Sequence, residues 1–220
     1  MKPGTMADTL VVDVWSDVVC PFCYLGSRQL EAAIEQFEHR DDVVLHHRAF
    51  ELDPTTPLTF DKPLEELVSE KYHIPVERSR AMHRQLEEQA RSFDMEWSFA
   101  SARATNSFDA HRLIALAESQ GFGESMSQRL FKAYFSDGLL ISDHDVLNAL
   151  ASEVGVEGAP SLWTGDAFSA EVRADEAAAA ELGISGVPAM LIGNKFMVLG
   201  AQGTEKILET LRRAWQRQDA

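Results

Sequence analysis

The chain has 220 residues, 45% hydrophobic and 25% charged, which is the balance of a globular protein with a core large enough to do without disulfide or metal staples. Asp and Glu number 35 against 20 Lys and Arg, a formal net charge of −15 that repels phosphate backbones and anionic bilayers, so no nucleic-acid or membrane partner is expected. The apolar stretches are too short to span a bilayer, and Met1–Thr9 has no apolar segment of a secretory signal; it reads as a short disordered leader in which Met6 could be the start, and the expected compartment is the cytoplasm.

Leu10–Trp15 is rich in β-branched residues and predicts a buried strand, followed by a loop to Cys20. From Pro21 the apolar residues Leu25, Leu30, Ala33, Ile34 and Phe37 fall three and four apart, so a helix is expected as far as about His39. Val43–Ala49 alternates as a second strand and completes a βαβ start. Turn residues around Pro54, Pro57 and Pro63 then lead into a stretch of helices with few strand signals. These are expected over Glu65–Tyr72, Val76–Phe93, Ser107–Ser119, a segment bearing Met126 to Phe135, a segment capped by Ser142 and ending at Gly155, and Ala167–Leu182 with Gly183 as its stop. This middle part is also the more acidic part of the chain. Strands return with Pro188–Ile192 and Lys195–Leu199, joined by the hairpin pair Gly193–Asn194, and Thr204 caps a last helix carrying Ile207, Leu208, Leu211 and Trp215. One sheet assembled from both ends of the chain around a helical module is the economical arrangement. The expected fold class is therefore α/β, with one domain from residues 9–60 and 183–220 and an inserted all-helical domain over 61–182.

The chain has two cysteines, Cys20 and Cys23, in the run Cys20-Pro21-Phe22-Cys23 between the first strand and the helix it opens. Residues i and i+3 of a first helical turn bring their Cβ atoms within the geometry a disulfide accepts. Pro21 suits a position whose N–H would lack an intrahelical partner. The free N–H groups and the dipole of the helix favour thiolate over thiol at Cys20. Cys20 is then expected to be the exposed nucleophile and Cys23 the resolving thiol. A structural zinc half-site is one competing explanation; it would need two more ligands, and the adjacent His46 and His47 would point to opposite faces of a strand. Two inert buried cysteines are the other. No metal and no organic cofactor is expected. Trp15 reads as core or groove lining, His111 as a structural histidine, and the scattered methionines as core fillers.

The run from Asp13 to Gly26 resembles the active-site segment of the FrnE-type branch of the DsbA family, thioredoxin-like proteins with a helical insertion. The similarity continues in Thr105-Asn106-Ser107, in Ala110-His111-Arg112-Leu113, in Ala133-Tyr134-Phe135, in Gly183 to Pro188 and in Gly200-Ala201-Gln202-Gly203. The resemblance implies a thioredoxin-like fold and thiol–disulfide exchange with protein or small-molecule thiols and disulfides, glutathione among them. It implies that the Val187–Pro188 bond is cis and faces the cysteines, leaving Val187 backbone groups to pair with an extended substrate. Val187, Pro188, Phe22 and Pro21 are the implied substrate contacts. DsbA itself has histidine where Phe22 stands, so a less oxidising pair is implied. Kappa-class glutathione transferases and chromene-carboxylate isomerases look similar but have serine at the place of Cys20. A glutathione-dependent isomerase or transferase is thus one rival reading, and a chaperone-like polypeptide-binding module with incidental cysteines is another.

Overall fold

The computed structural model describes residues 9–218. The leader expected over Met1–Thr9 lies, up to residue 8, outside the described residues. The chain divides into two compact units, one holding the described residues up to Leu52 and from Arg173 onward, the other spanning Asp53–Val172.

The first unit is built on β1 (Leu10–Ser16), α1 (Pro21–Glu35), β2 (Val43–Ala49), β3 (Ala189–Ile192), β4 (Phe196–Leu199) and α9 (Thr204–Trp215), with the later part of α8 (Ser169–Glu181). The strands form one sheet in the order β2-β1-β3-β4. β1 runs parallel to β2, with Leu10 opposite Val43, and antiparallel to β3, with Val12 opposite Ile192. Gly193 and Asn194 join β3 to β4 with φ of 57° and 53°, the left-handed pair that a two-residue hairpin turn needs to match strand twist. β1 is interior to the sheet and almost wholly buried, which explains why its sequence is nearly continuous in apolar residues. Leu10, Val12 and Val14 point to one face and pack with Leu30, Ala33 and Phe37 from α1, Met190 and Ile192 from β3, and Ile207, Leu208 and Leu211 from α9. Trp15 and Ala189 point to the other face and pack with Ala179 and Ile184.

Several boundaries differ from those expected. α1 stops at Glu35 rather than near His39, because Phe37 turns into the core, where its ring meets Trp215 edge-on at 6.0 Å. Thr204 is not the cap of α9 but its first residue; Gly203 holds the cap position at φ 92°, a backbone conformation that disfavours side chains. Arg173–Glu181 belongs with the sheet unit, although the sequence reading puts these residues in the insertion. The reason is Asp175, whose carboxylate accepts from Arg48 Nη1 at 3.2 Å and from Ala49 N at 3.1 Å. The Asp175 carbonyl also accepts from Trp15 Nε1 at 2.9 Å.

The second unit comprises α2 (Leu64–Tyr72), α3 (Val76–Arg91), α4 (Phe108–Ser119), α5 (Gly123–Phe135), α6 (His144–Val154), the short α7 (Ala159–Leu162) and the first residues of α8. Asp143, not Ser142, caps α6: its carboxylate accepts from Asp145 N at 2.9 Å, while Ser142 Oγ donates to Leu58 O at 2.8 Å. Trp97, Phe99, Tyr134 and Phe135 form an aromatic cluster within this unit. Arg112 is buried and anchors the α7–α8 connection by donating to the carbonyls of Leu162, Gly165 and Ala167 at 2.6, 2.7 and 2.9 Å. Among the described residues, no helix is long and apolar enough to cross a membrane.

Candidate active site

The two cysteines sit where the sheet hands the chain to α1. β1 ends at Ser16, and a tight turn follows in which Cys20 N donates to Asp17 O at 3.0 Å. Cys20 occupies the N-cap of α1 in an extended conformation, φ −91° and ψ 115°, and Pro21 fills the first helical position. The Cys20 carbonyl accepts from Cys23 N at 3.1 Å and Tyr24 N at 3.3 Å, so the turn holding both sulfurs is closed by the backbone. Both cysteines carry free thiols.

Their surroundings differ. Cys23 is 1% exposed, and Asp17 N donates to its Sγ at 3.5 Å. Burial pushes the Cys23 thiol well above the ordinary cysteine range; the hydrogen bond to Cys20 and the Cys20 charge push the same way, as does the Asp17 carboxylate, and the Asp17 N–H opposes them. Cys20 is 4% exposed rather than the open nucleophile the sequence suggests. The cover on this side is the turn before β3: Cys20 Sγ donates to Val187 O at 3.7 Å. The Val187–Pro188 bond is cis. Val187 is half-buried and Pro188 buried, with the Pro188 carbonyl accepting from Gly200 N at 2.7 Å. Pro21 is half-buried, and Phe22, between the two cysteines in the chain, is 48% exposed. Thus Cys20, Cys23 and Val187 are brought together, with Phe22 on the rim.

Two residues near the thiols escape sequence reasoning. Asp17 is 1% exposed, and its carboxylate accepts from Val19 N at 3.3 Å and from Leu52 N at 2.8 Å, so it braces the turn from inside. An acid in a short loop before the motif reads as ordinary turn chemistry, and nothing in one sequence marks it as buried. Gly26 lies in the second turn of α1, where a Cβ would be 3.0 Å from Pro188 Cγ. A glycine inside an amphipathic helix was the available signal.

Neither His46 nor His47 completes a metal site with the cysteines: His46 Nδ1 lies 3.4 Å from Asp13 Oδ1, on β2. Among the described residues, no group of three or more His, Cys, Asp or Glu side chains could hold a metal ion.

The family model for a DSBA-like thioredoxin domain matches residues 11–212. A probable DsbA oxidoreductase from Streptomyces coelicolor superposes with a TM-score of 0.90 at 33% identity, over 94% of this chain and 91% of that one. Protein YwbO of Bacillus subtilis (strain 168) is 30% identical over 152 residues, 69% of each chain. The cytosolic disulfide reductase DsbM from Pseudomonas aeruginosa shares the fold at a TM-score of 0.62 and 17% identity, over 95% of this chain and 97% of that one, and a structure of DsbM with GSH gives the same TM-score.

Proposed function

The chain belongs to the DsbA-like thioredoxin family, and we propose that it is a cytoplasmic thiol–disulfide oxidoreductase of the FrnE type, with Cys20 as nucleophile and Cys23 as resolving thiol. The observation that carries the reading is the dithiol at the N-terminus of α1 with the Val187 carbonyl 3.7 Å from Cys20 Sγ. That arrangement combines a sulfur at the positive end of a helix with backbone groups suited to an extended substrate.

In the reductive direction the Cys20 thiolate attacks one sulfur of a substrate disulfide. The substrate S–S bond breaks, a Cys20–substrate disulfide forms, and the departing thiolate takes a proton from solvent. Cys23 then loses its proton and attacks Cys20 Sγ. The Cys20–Cys23 disulfide forms, and the second substrate sulfur leaves as a thiol. The protein has lost two electrons and the substrate has gained them; the reverse sequence oxidises a substrate dithiol. Val187, Pro188, Phe22 and Pro21 border the incoming sulfur. The high proton affinity of Cys23 suits the order of events, since it keeps Cys23 protonated while Cys20 engages substrate.

The helical unit is the insertion between β2 and β3, and the acidic surface disfavours nucleic acid as substrate. A cytoplasmic site of action fits a chain whose two cysteines form one close pair. Glutathione is a candidate small-thiol partner, because DsbM, which shares the fold, has been solved with GSH. Cysteine rather than serine at position 20 favours redox exchange over the isomerase and transferase chemistry.

The test is turnover with a polypeptide disulfide and a small thiol as co-substrate. Cys20→Ser is expected to abolish it, and Cys23→Ser to accumulate protein–substrate mixed disulfides visible by mass. Turnover that survives Cys20→Ser would overturn the assignment.

A further inference from the structure

Gly26 is buried in α1, three residues beyond Cys23, and therefore on the same side of the helix as the resolving thiol. Glycine weakens a helix relative to alanine, and Gly26 has no positive φ that would require it. Its reason is steric. A Cβ at this position would stand 3.0 Å from Pro188 Cγ, 3.5 Å from Pro188 Cβ and 3.6 Å from Met190 Cε. The methionine methyl can move aside. The proline ring cannot do so freely: the Pro188 carbonyl is tied to Gly200 N at 2.7 Å, and the next residue, Ala189, is paired with both Trp15 and Leu199. A side chain at position 26 would therefore act as a wedge between the helix that carries the sulfurs and the turn that carries Val187.

We propose that Gly26 is a positioning residue for substrate engagement: its missing side chain sets the separation between α1 and the Val187–Pro188 turn, and so the alignment of the Val187 backbone with Cys20 Sγ. The inference rests on the reading of this site as a thiol–disulfide exchange centre. It adds that the register between sulfur and substrate-pairing backbone is set from beneath, by a residue that touches neither substrate nor sulfur. A displacement of a few tenths of an ångström at the Pro188 ring is passed directly to Val187, its neighbour in the chain. A polypeptide substrate, which must fit backbone and sulfur at once, feels this. A small reagent that meets only the sulfur does not.

The test compares wild type with Gly26→Ala in the reduced protein. Turnover of a polypeptide disulfide is expected to fall by about tenfold, the scale of loss that sub-ångström misplacement of reacting groups produces. Alkylation of Cys20 by iodoacetamide is expected to stay within about twofold of wild type, since it needs no backbone alignment. The amide NMR resonances of Val187 and Ala189 are expected to shift. Unchanged polypeptide turnover, equal losses in turnover and alkylation, unmoved Val187 and Ala189 resonances, or a variant that does not fold would each overturn the proposal, the last by assigning Gly26 to packing alone. If wild type itself shows no polypeptide turnover, the exchange reading fails, and the NMR comparison still decides whether Gly26 holds the turn.

Discussion

Asp17→Asn tests how the resolving thiol is controlled. Asp17 N donates to Cys23 Sγ at 3.5 Å, so the sulfur and the Asp17 carboxylate are neighbours in a buried turn. Three covalent bonds separate that nitrogen from the carboxyl carbon, which places the carboxylate within about 7 Å of the sulfur. Two negative charges this close inside a protein repel, so removing the Asp17 charge should lower the Cys23 proton affinity and enlarge its thiolate population at neutral pH. Nucleophilicity falls with basicity along a slope of only about 0.4–0.5, so the larger thiolate population outweighs that loss and the resolving step should speed up. The direction follows from the Cys23 thiol being held high by burial first, then by Cys20, with the Asp17 charge adding to both. Reaction of the dithiol protein with a chromogenic aromatic disulfide releases one coloured thiol on attack by Cys20 and a second on resolution by Cys23. Stopped-flow absorbance reads the two phases separately. The expected result is a faster second phase in Asp17→Asn, with its pH profile moved to lower pH. A slower second phase would refute the reasoning. It would mean that the carboxylate takes the proton from Cys23, although its oxygens are engaged with Val19 N and Leu52 N.

Other expectations concern the frame around the site. Arg48→Leu leaves the Asp13 carboxylate, 7% exposed, and Asp175 without the guanidinium that lies 2.7 and 3.2 Å from them; a loss of about 2 kcal/mol in urea unfolding is expected, the usual cost of orphaning a buried charge discounted for an arginine that is partly in solvent. Undiminished stability would show that the cluster is solvated. In the helical unit, His83 is 9% exposed and stacks on Phe99 at 4.4 Å. Burial depresses its proton affinity, and Glu65 and Glu87 only partly offset this. The folded state thus binds the proton more weakly than the unfolded state, so this contribution to stability is complete above the unfolded pKa of about 6.5 and is lost as pH falls from there through the lowered folded value. His83→Gln should flatten the decline in unfolding free energy between neutral pH and about pH 5, and an unaltered slope would exclude His83 as its source. Leu211→Ala removes a fully buried side chain between α9 and the sheet and should cost about 3 kcal/mol in thermal or urea unfolding, a cost that a collapsing core would reduce.

Much of this protein is legible locally. The continuous apolar run of β1, the alternating run of β2, the helical spacing of Leu113, Ile114 and Ala117, and the Gly193–Asn194 turn each carry their own structure, because strand, helix and tight hairpin are decided by residues a few positions apart. The Cys20–Cys23 pair is likewise local, since a helix start places i and i+3 together whatever the remainder of the chain does. What the tertiary structure alone decides depends on residues far apart in sequence. Trp15 meets Asp175 across 160 positions and so draws the second half of the alanine-rich helix to the sheet, a contact that helical periodicity cannot reveal. Cys20 is buried because β3 inserts beside β1 and carries Val187 against the sulfur, 167 positions away. Gly26 needs to be glycine only because that same strand brings Pro188 under α1. Sequence patterns record which face of an element is apolar; strand order determines what that face meets, and here the insertion of β3 next to β1 turns an ordinary helix start into an enclosed dithiol.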